Sequence, residues 1–340
     1  MTRQAPTHQA EKRESEALNS SKKFLRTALQ TLLHYGGSAL VLYLLFRLLP
    51  GRQVWRTLGL LPARLWVLVL LGYLAAHCIG VGKWRLMVNV AGAGLNVRQA
   101  ARCYFAGLFG SLFLPSLIGG DLVRAGLALR LGRSKAGVLL GSFLDRIIDF
   151  AALTLLAGLG ALLVPGALDA RGRRIFLLLG AGALLAAIAV ASVIALLPVG
   201  RFSFRMRRRV VRVRRAGRSM ARQPGAMLRA LSMAIVAQLA FIELSVLLAR
   251  GCGLDLQIRA WLFAWPLAKI SAALPITQGG IGVREAALAA LLVPFGAPAV
   301  LTVAAGLAWE AIVVSGALVA GITSVVIGRF SSAKDERSEP

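Results

Sequence analysis

The chain has 340 residues, of which 57% are hydrophobic and 16% charged, and its mean hydropathy is +0.72. Soluble domains are nearer half apolar and about 25% charged, and here the apolar residues also fall in blocks close to the ~20 needed to cross ~30 Å of hydrocarbon, which excludes a soluble fold. The net charge of +26 does not indicate nucleic acid, because the basic residues lie between apolar blocks, where the positive-inside rule places them.

Residues 1–22 mix charge with Ser, Thr and Gln and are expected to be a disordered cytosolic tail. The block 27–49 is too long for a signal-peptide core and reads as a retained span carrying His34. A second span covers 65–82 and carries His77. Both histidines stand alone, as bundle residues more often do than ligands. Trp55, Trp66 and Trp84 lie near span ends and read as interfacial anchors. A Pro/Gly-Gly segment follows at 111–124, then a span at 136–164 containing Asp145, Arg146 and Asp149. The block 175–200 leads into 201–222, which holds ten arginines and no acid. That stretch is primarily a topology signal, with contact to anionic lipid headgroups as a by-product. The block 226–248 contains Glu243, Lys269 precedes a second Pro/Gly-Gly segment at 271–284, and 297–328 contains Glu310. The tail after Arg329 is again polar. Cys78, Cys103 and Cys252 are isolated and offer neither a disulfide framework nor metal spacing.

The two Pro/Gly-Gly segments repeat. Ser111-Leu-Phe-Leu-Pro115-Ser-Leu-Ile-Gly119-Gly120-Asp121-Leu-Val123-Arg124 aligns without a gap on Ser271-Ala-Ala-Leu-Pro275-Ile-Thr-Gln-Gly279-Gly280-Ile281-Gly-Val283-Arg284, 160 residues later. The same offset carries 136–164 into the last block and 65–82 into 226–248 to within a residue, so each half reads span, span, Pro/Gly-Gly segment, span. Charge decides whether these segments cross. With eight crossings and the N-terminus outside, 19 Lys and Arg lie inside and 18 outside. With both segments re-entrant and both termini inside, the numbers are 27 and 10. Three spans then separate the hairpins, so they enter from opposite faces. The expected fold is an all-α polytopic membrane protein of six full spans plus two re-entrant helical hairpins in an inverted-topology repeat. Such repeats place substrate sites near the midplane. The expected division is a cytosolic tail at 1–22, membrane repeats at 23–164 and 175–328, and a cytosolic tail at 329–340.

Within each hairpin the expected roles follow from residue chemistry. Proline stops the inbound helix, and the pairs Gly119–Gly120 and Gly279–Gly280 allow a tight reversal at the tip. Asp121 is then the N-cap of the outbound helix. Arg124 and Arg284 sit about one turn into the outbound helices, where a helix N-terminus and a guanidinium together suit an anion. The alternative is close packing by the glycines and snorkelling by each Arg. Charged residues at mid-span cost about 2.5–3.5 kcal/mol each, so Asp145, Arg146, Asp149 and Glu310 should face a cavity or a partner. Asp145 and Asp149 share a helix face. Two readings stay open for these acids, structural pairing or gating with proton coupling. Glu243 and Lys269 are further intramembrane candidates.

The strings Leu114-Pro115-Ser-Leu-Ile-Gly119-Gly120-Asp121-Leu-Val-Arg124, Asp145-Arg146 and Gln278-Gly279-Gly280-Ile281-Gly282-Val283-Arg284-Glu285 resemble the lysylphosphatidylglycerol synthase transmembrane (flippase-like) family over roughly residues 25–330. The resemblance implies a protein of the bacterial cytoplasmic membrane related to the domain that moves lipids between leaflets. Larger members carry a soluble aminoacyl-transferase domain after the membrane part, and with twelve residues after the last span no synthesis of an aminoacyl lipid is expected here. The expected function is movement of a lipid with an anionic or phosphate-bearing headgroup between leaflets. No G-x-x-x-x-G-K-[ST] loop is present, so direct ATP use is not expected, and neither is a cofactor or metal. Expected partners are membrane lipids, with a second copy of the chain or an envelope-biosynthesis partner as further candidates, and no nucleic acid. The alternatives are an accessory subunit of a cell-envelope assembly without transport, and a membrane-embedded lipid-modifying enzyme.

Overall fold

The computed structural model describes residues 51–113, 118–164, 222–272 and 282–335, with 174, 211, 214–215 and 217–219. The expected spans at 27–49 and 175–200, the segments 114–117 and 273–281 and much of the arginine stretch lie outside the described residues, and with them His34, Pro115, Pro275, Gly279 and Gly280. In chain order the helices are α1 (Gly51–Gly59), α2 (Ala63–Val90), α3 (Val97–Gly110), α4 (Ile118–Leu131), α5 (Lys135–Leu163), α6 (Pro224–Gly251), α7 (Ile258–Ser271), α8 (Val283–Leu292) and α9 (Ala299–Asp335), with a 3-10 turn at Val293–Phe295 between the last two. The described residues are helical throughout, with no strand.

Local chemistry sets the helix ends. Asn96 and Gln99 form a reciprocal capping box at the start of α3: Gln99 N donates to Asn96 Oδ1 over 2.8 Å and Asn96 N to Gln99 Oε1 over 3.0 Å. Ser134 Oγ accepts from Gly137 N to open α5, and Pro224 occupies the first turn of α6. Helices α2 and α6 end on the same device. Gly92 (φ +92°) and Gly253 (φ +84°) adopt the left-handed conformation that glycine enters at least cost. Ala93 N and Leu254 N then bond back to Val88 O and Ala249 O. The pairs match in length as well: α2 and α6 have 28 residues each, α3 and α7 have 14 each.

Among the described residues four helices are long and apolar enough to span a bilayer, over Ala63–Val90, Lys135–Leu163, Pro224–Gly251 and Ala299–Arg329. Their outer faces carry exposed Leu68, Leu71, Leu155, Leu162, Leu228, Ile322 and Val325, a surface suited to lipid rather than water. At about 1.5 Å per residue, α3 and α7 each extend only about 21 Å and cannot cross alone.

The halves interlock. Helix α2 packs along α6, α3 lies against α9, and α7 lies against α5, so each half's short helix rests on the other half's last long helix. Small residues permit the close approaches. A Cβ on Gly141 would lie 2.5 Å from Val88 Cα, and one on Gly160 would overlap the Leu262–Phe263 backbone. At one end of the bundle, Ser219 Oγ donates to Val90 O, Arg133 N to Ala93 O and Ser324 Oγ to Arg102 O. At the opposite end Gly251 meets Leu61 and Leu65.

Three expectations change. Helix α2 continues eight residues beyond the expected end at 82, taking Lys83 and Trp84 into the bundle. Helix α4 starts at Ile118, so Gly119, Gly120 and Asp121 belong to its first turn rather than to a reversal and a cap. Gly120 instead serves close packing: its Cβ would lie 2.6 Å from Gly107 O, and one on Gly107 would lie 2.7 Å from Gly120 O. Finally, α9 runs to Asp335, into the expected polar tail.

Candidate functional site

The acids of α5 gather basic residues of two other helices. Asp145 and Asp149, one turn apart on one face, both reach Lys83 of α2, at 3.0 and 2.5 Å. Arg124 of α4 lies 3.4 Å from Asp145 and 2.9 Å from Asp121, one turn back on its own helix. Arg146 takes both oxygens of Asp121, with Nε at 2.5 Å and Nη2 at 2.6 Å. Three cations and three carboxylates thus form one network, deep enough that Lys83, Arg124 and Asp145 are 4%, 5% and 1% exposed. The guanidinium of Arg124 also sits over Trp84 and Tyr104, at 5.0 and 5.3 Å from the ring centres. Its Nε has no acceptor, so the network does not use every donor it contains.

The second half builds a smaller network around Arg284 at the start of α8. Its Nη2 lies 2.6 Å from Glu310 of α9 and 3.0 Å from Glu285. Glu285 is fully buried, and its other oxygen accepts from Gly282 N over 2.6 Å. Gly306 on α9 makes the space: a Cβ there would lie 2.8 Å from Glu285 Cγ. Lys269 of α7 stands apart. Its Nζ donates to Gln238 Oε1 of α6 over 2.9 Å and lies 4.7 Å from the centres of both Phe241 and Trp265.

Aromatic rings fill the space between the networks. Tyr104 shares a hydrogen bond with His77 Nδ1 at 3.2 Å, and His77 packs on Tyr73 and Phe241. Phe241, Trp265 and Trp309 continue the chain of contacts toward Lys269. His77 is therefore a hydrogen-bonded bundle residue and the shared bond leaves its tautomer open. Among the described residues no group of three or more His, Cys, Asp or Glu side chains is placed to hold a metal.

The expected site residues divide accordingly. Arg124, Asp121, Asp145, Arg146 and Asp149 come together, as do Arg284 and Glu310. Asp149 and Glu310 serve different cations. Glu243 is exposed on α6 and joins neither network. Trp84 is not an interfacial anchor but fully buried, with Nε1 donating to Ser142 Oγ over 3.0 Å. Lys83, Glu285 and Gln238 are missed by the sequence reading. The available signal was weak: Lys83 follows an unbroken helical run, and Glu285 stands beside an already singled-out arginine.

Long apolar helices around two buried ionic networks define an integral, multi-pass α-helical membrane protein. The chain belongs to the lysylphosphatidylglycerol synthase TM region family, whose model matches residues 27–321. That family is linked to phospholipid modification and flipping. Comparison with curated proteins and with solved structures found no match.

Proposed function

We propose that the chain moves a lipid with an anionic or phosphate-bearing headgroup between the leaflets of the bacterial cytoplasmic membrane, without altering it covalently. It does so through an inverted-topology repeat of six full spans and two re-entrant hairpins, α3–α4 and α7–α8, with both termini in the cytosol. The observation that carries the reading is the pairing of each hairpin arginine with a carboxylate of the following long helix, Arg124 with Asp145 and Arg284 with Glu310. A headgroup phosphate competes for the same guanidinium, and bidentate phosphate contact suits Arg in particular. Binding then releases the carboxylate to a proton or another cation. Each hairpin thus has two charge states, the kind of element a ligand can shift. The topology is supported by contacts at the bundle ends: Val90, Ala93, Arg102, Arg133, Ser219 and Ser324 meet at the end that charge assigns to the cytosol. The short helices α3 and α7 are themselves covered by protein, α3 on α9 and α7 on α5.

Purified protein in liposomes with a labelled phospholipid tests the reading. Movement of intact lipid is the expected result. Chemical conversion of the lipid, or no movement above protein-free vesicles, would overturn it.

A further inference from the structure

We infer that Lys269 is the first receptor for the headgroup phosphate, engaged before either arginine. The inference takes its ligand from the lipid-moving reading above, while the site itself stands on geometry. Lys83, Arg124, Arg146 and Arg284 each contact at least one carboxylate. No carboxylate among the described residues pairs with Lys269. Its contacts are one amide oxygen, Gln238 Oε1 at 2.9 Å, and two ring faces, Phe241 and Trp265 at 4.7 Å. An ammonium has three donors, so this one is held in place by neutral groups with hydrogen-bonding capacity left over. The holding groups are themselves rigid: Gln238, Phe241 and Trp265 are 4%, 6% and 4% exposed, and Trp265 Nε1 donates to Ser245 Oγ over 2.8 Å. Lys269 is part-buried.

The charged groups that act on Lys269 are Asp149, Arg284, Arg146 and Lys83, and each of them is already paired within one of the two networks. An uncompensated cation in the membrane interior is costly, and a phosphate supplies the missing counter-charge. An anion arriving at Arg124 or Arg284 meets a guanidinium already paired with carboxylates, whereas Lys269 has no carboxylate partner among the described residues. Binding at Lys269 therefore comes first, and transfer to a guanidinium follows.

The test uses the purified full chain in nanodiscs, titrated with dihexanoylphosphatidylglycerol, with dihexanoylglycerol lacking the phosphate, and with inorganic phosphate. Heat and tryptophan emission are followed, since Trp265 adjoins the site. The parent should prefer the phospholipid to dihexanoylglycerol, and Lys269→Met should weaken phospholipid binding about ten- to a hundredfold, the range for losing a charge-assisted contact. Lys269→Arg should retain most of it. Parental affinity in Lys269→Met, or equal affinity of the parent for dihexanoylglycerol, would overturn the assignment. Should the Met variant not fold, Lys269→Gln keeps a hydrogen bond to Gln238 without the charge, and the same comparison decides. Competition by inorganic phosphate at the phospholipid's own concentration would assign the site to free phosphate and overturn the headgroup assignment. The two readings fail separately. Lys269-dependent binding without movement in liposomes removes the transport reading alone, and movement with an unaffected Lys269→Met removes this one alone.

Discussion

Lys83 holds two carboxylates, Asp145 at 3.0 Å and Asp149 at 2.5 Å, at 4% exposure. Removing one partner of a buried ion pair costs far more than the pair contributes, about 3–5 kcal/mol, because a charge is left buried and unmatched. Lys83→Met should therefore lower the thermal unfolding midpoint sharply, and adding Asp149→Asn should recover part of the loss. A double variant no better than Lys83→Met would mean that Asp149 finds another partner. Arg284 separates stability from function in a different way. Arg284→Gln leaves both Glu310 and buried Glu285 without their cation, and adding Glu310→Gln returns the network to its original net charge, with Glu285 still accepting from Gly282 N. If the pair is only structural, the double variant regains both stability and lipid movement. The proposed function predicts regained stability with lipid movement still reduced about ten- to a hundredfold, and only partial rescue by Arg284→Lys, which lacks the planar fork.

The long helices were legible because membrane solvent imposes an unambiguous pattern, some twenty apolar residues without a break. Their ends were less so. Helix α2 was expected to stop at 82 because Lys83 and Arg85 look like loop charges, yet Lys83 finds its acids two helices away on α5, a pairing that no spacing within α2 reveals. The repeat was legible from Pro, Gly-Gly and Arg in register, but the work of the glycines was not. Gly120 is needed where α4 meets Gly107 of α3, and that depends on two helices at once. The element-scale prediction follows from the same contacts. Gly141→Val places a side chain against the Val88 backbone, which cannot yield, and a Cβ on Gly120 meets Gly107 O. Both Gly141→Val and Gly120→Val should abolish recovery of monodisperse protein in size-exclusion chromatography. Gly126→Ala on α4, with nothing within 4 Å of its Cβ, should leave the profile unchanged.

At the scale of the whole molecule, topology connects the sequence to the proposed function, because the proposed inverted repeat needs its two hairpins to enter from opposite faces. Taking Lys83 and Arg124 into the buried network removes two of the 27 positive residues assigned to the cytosol, and Arg284 removes one of the ten assigned outside, which leaves the asymmetry intact. The bundle contacts are independent of that count. Ser219, within the arginine stretch, donates to Val90 O at the end of α2, so these two share a face. Helix α6 then starts near that face and α7 begins at the far one, beyond the α6–α7 connection that holds Asp255. Asp255 is exposed and makes a 3.2 Å contact with Arg250. Single cysteines at 217 and 255 test the arrangement in a background lacking Cys78, Cys103 and Cys252, of which Cys78 is exposed. An impermeant thiol reagent added to intact cells should label position 255 and spare 217, and permeabilisation should open 217. Single cysteines at 171 and 334 extend the comparison, the first expected outside and the second inside. Labelling of 217 from outside would place the arginine stretch outside, and with it the α2 end that Ser219 contacts. The positive-inside assignment, on which the re-entrant reading of both hairpins rests, would then fail.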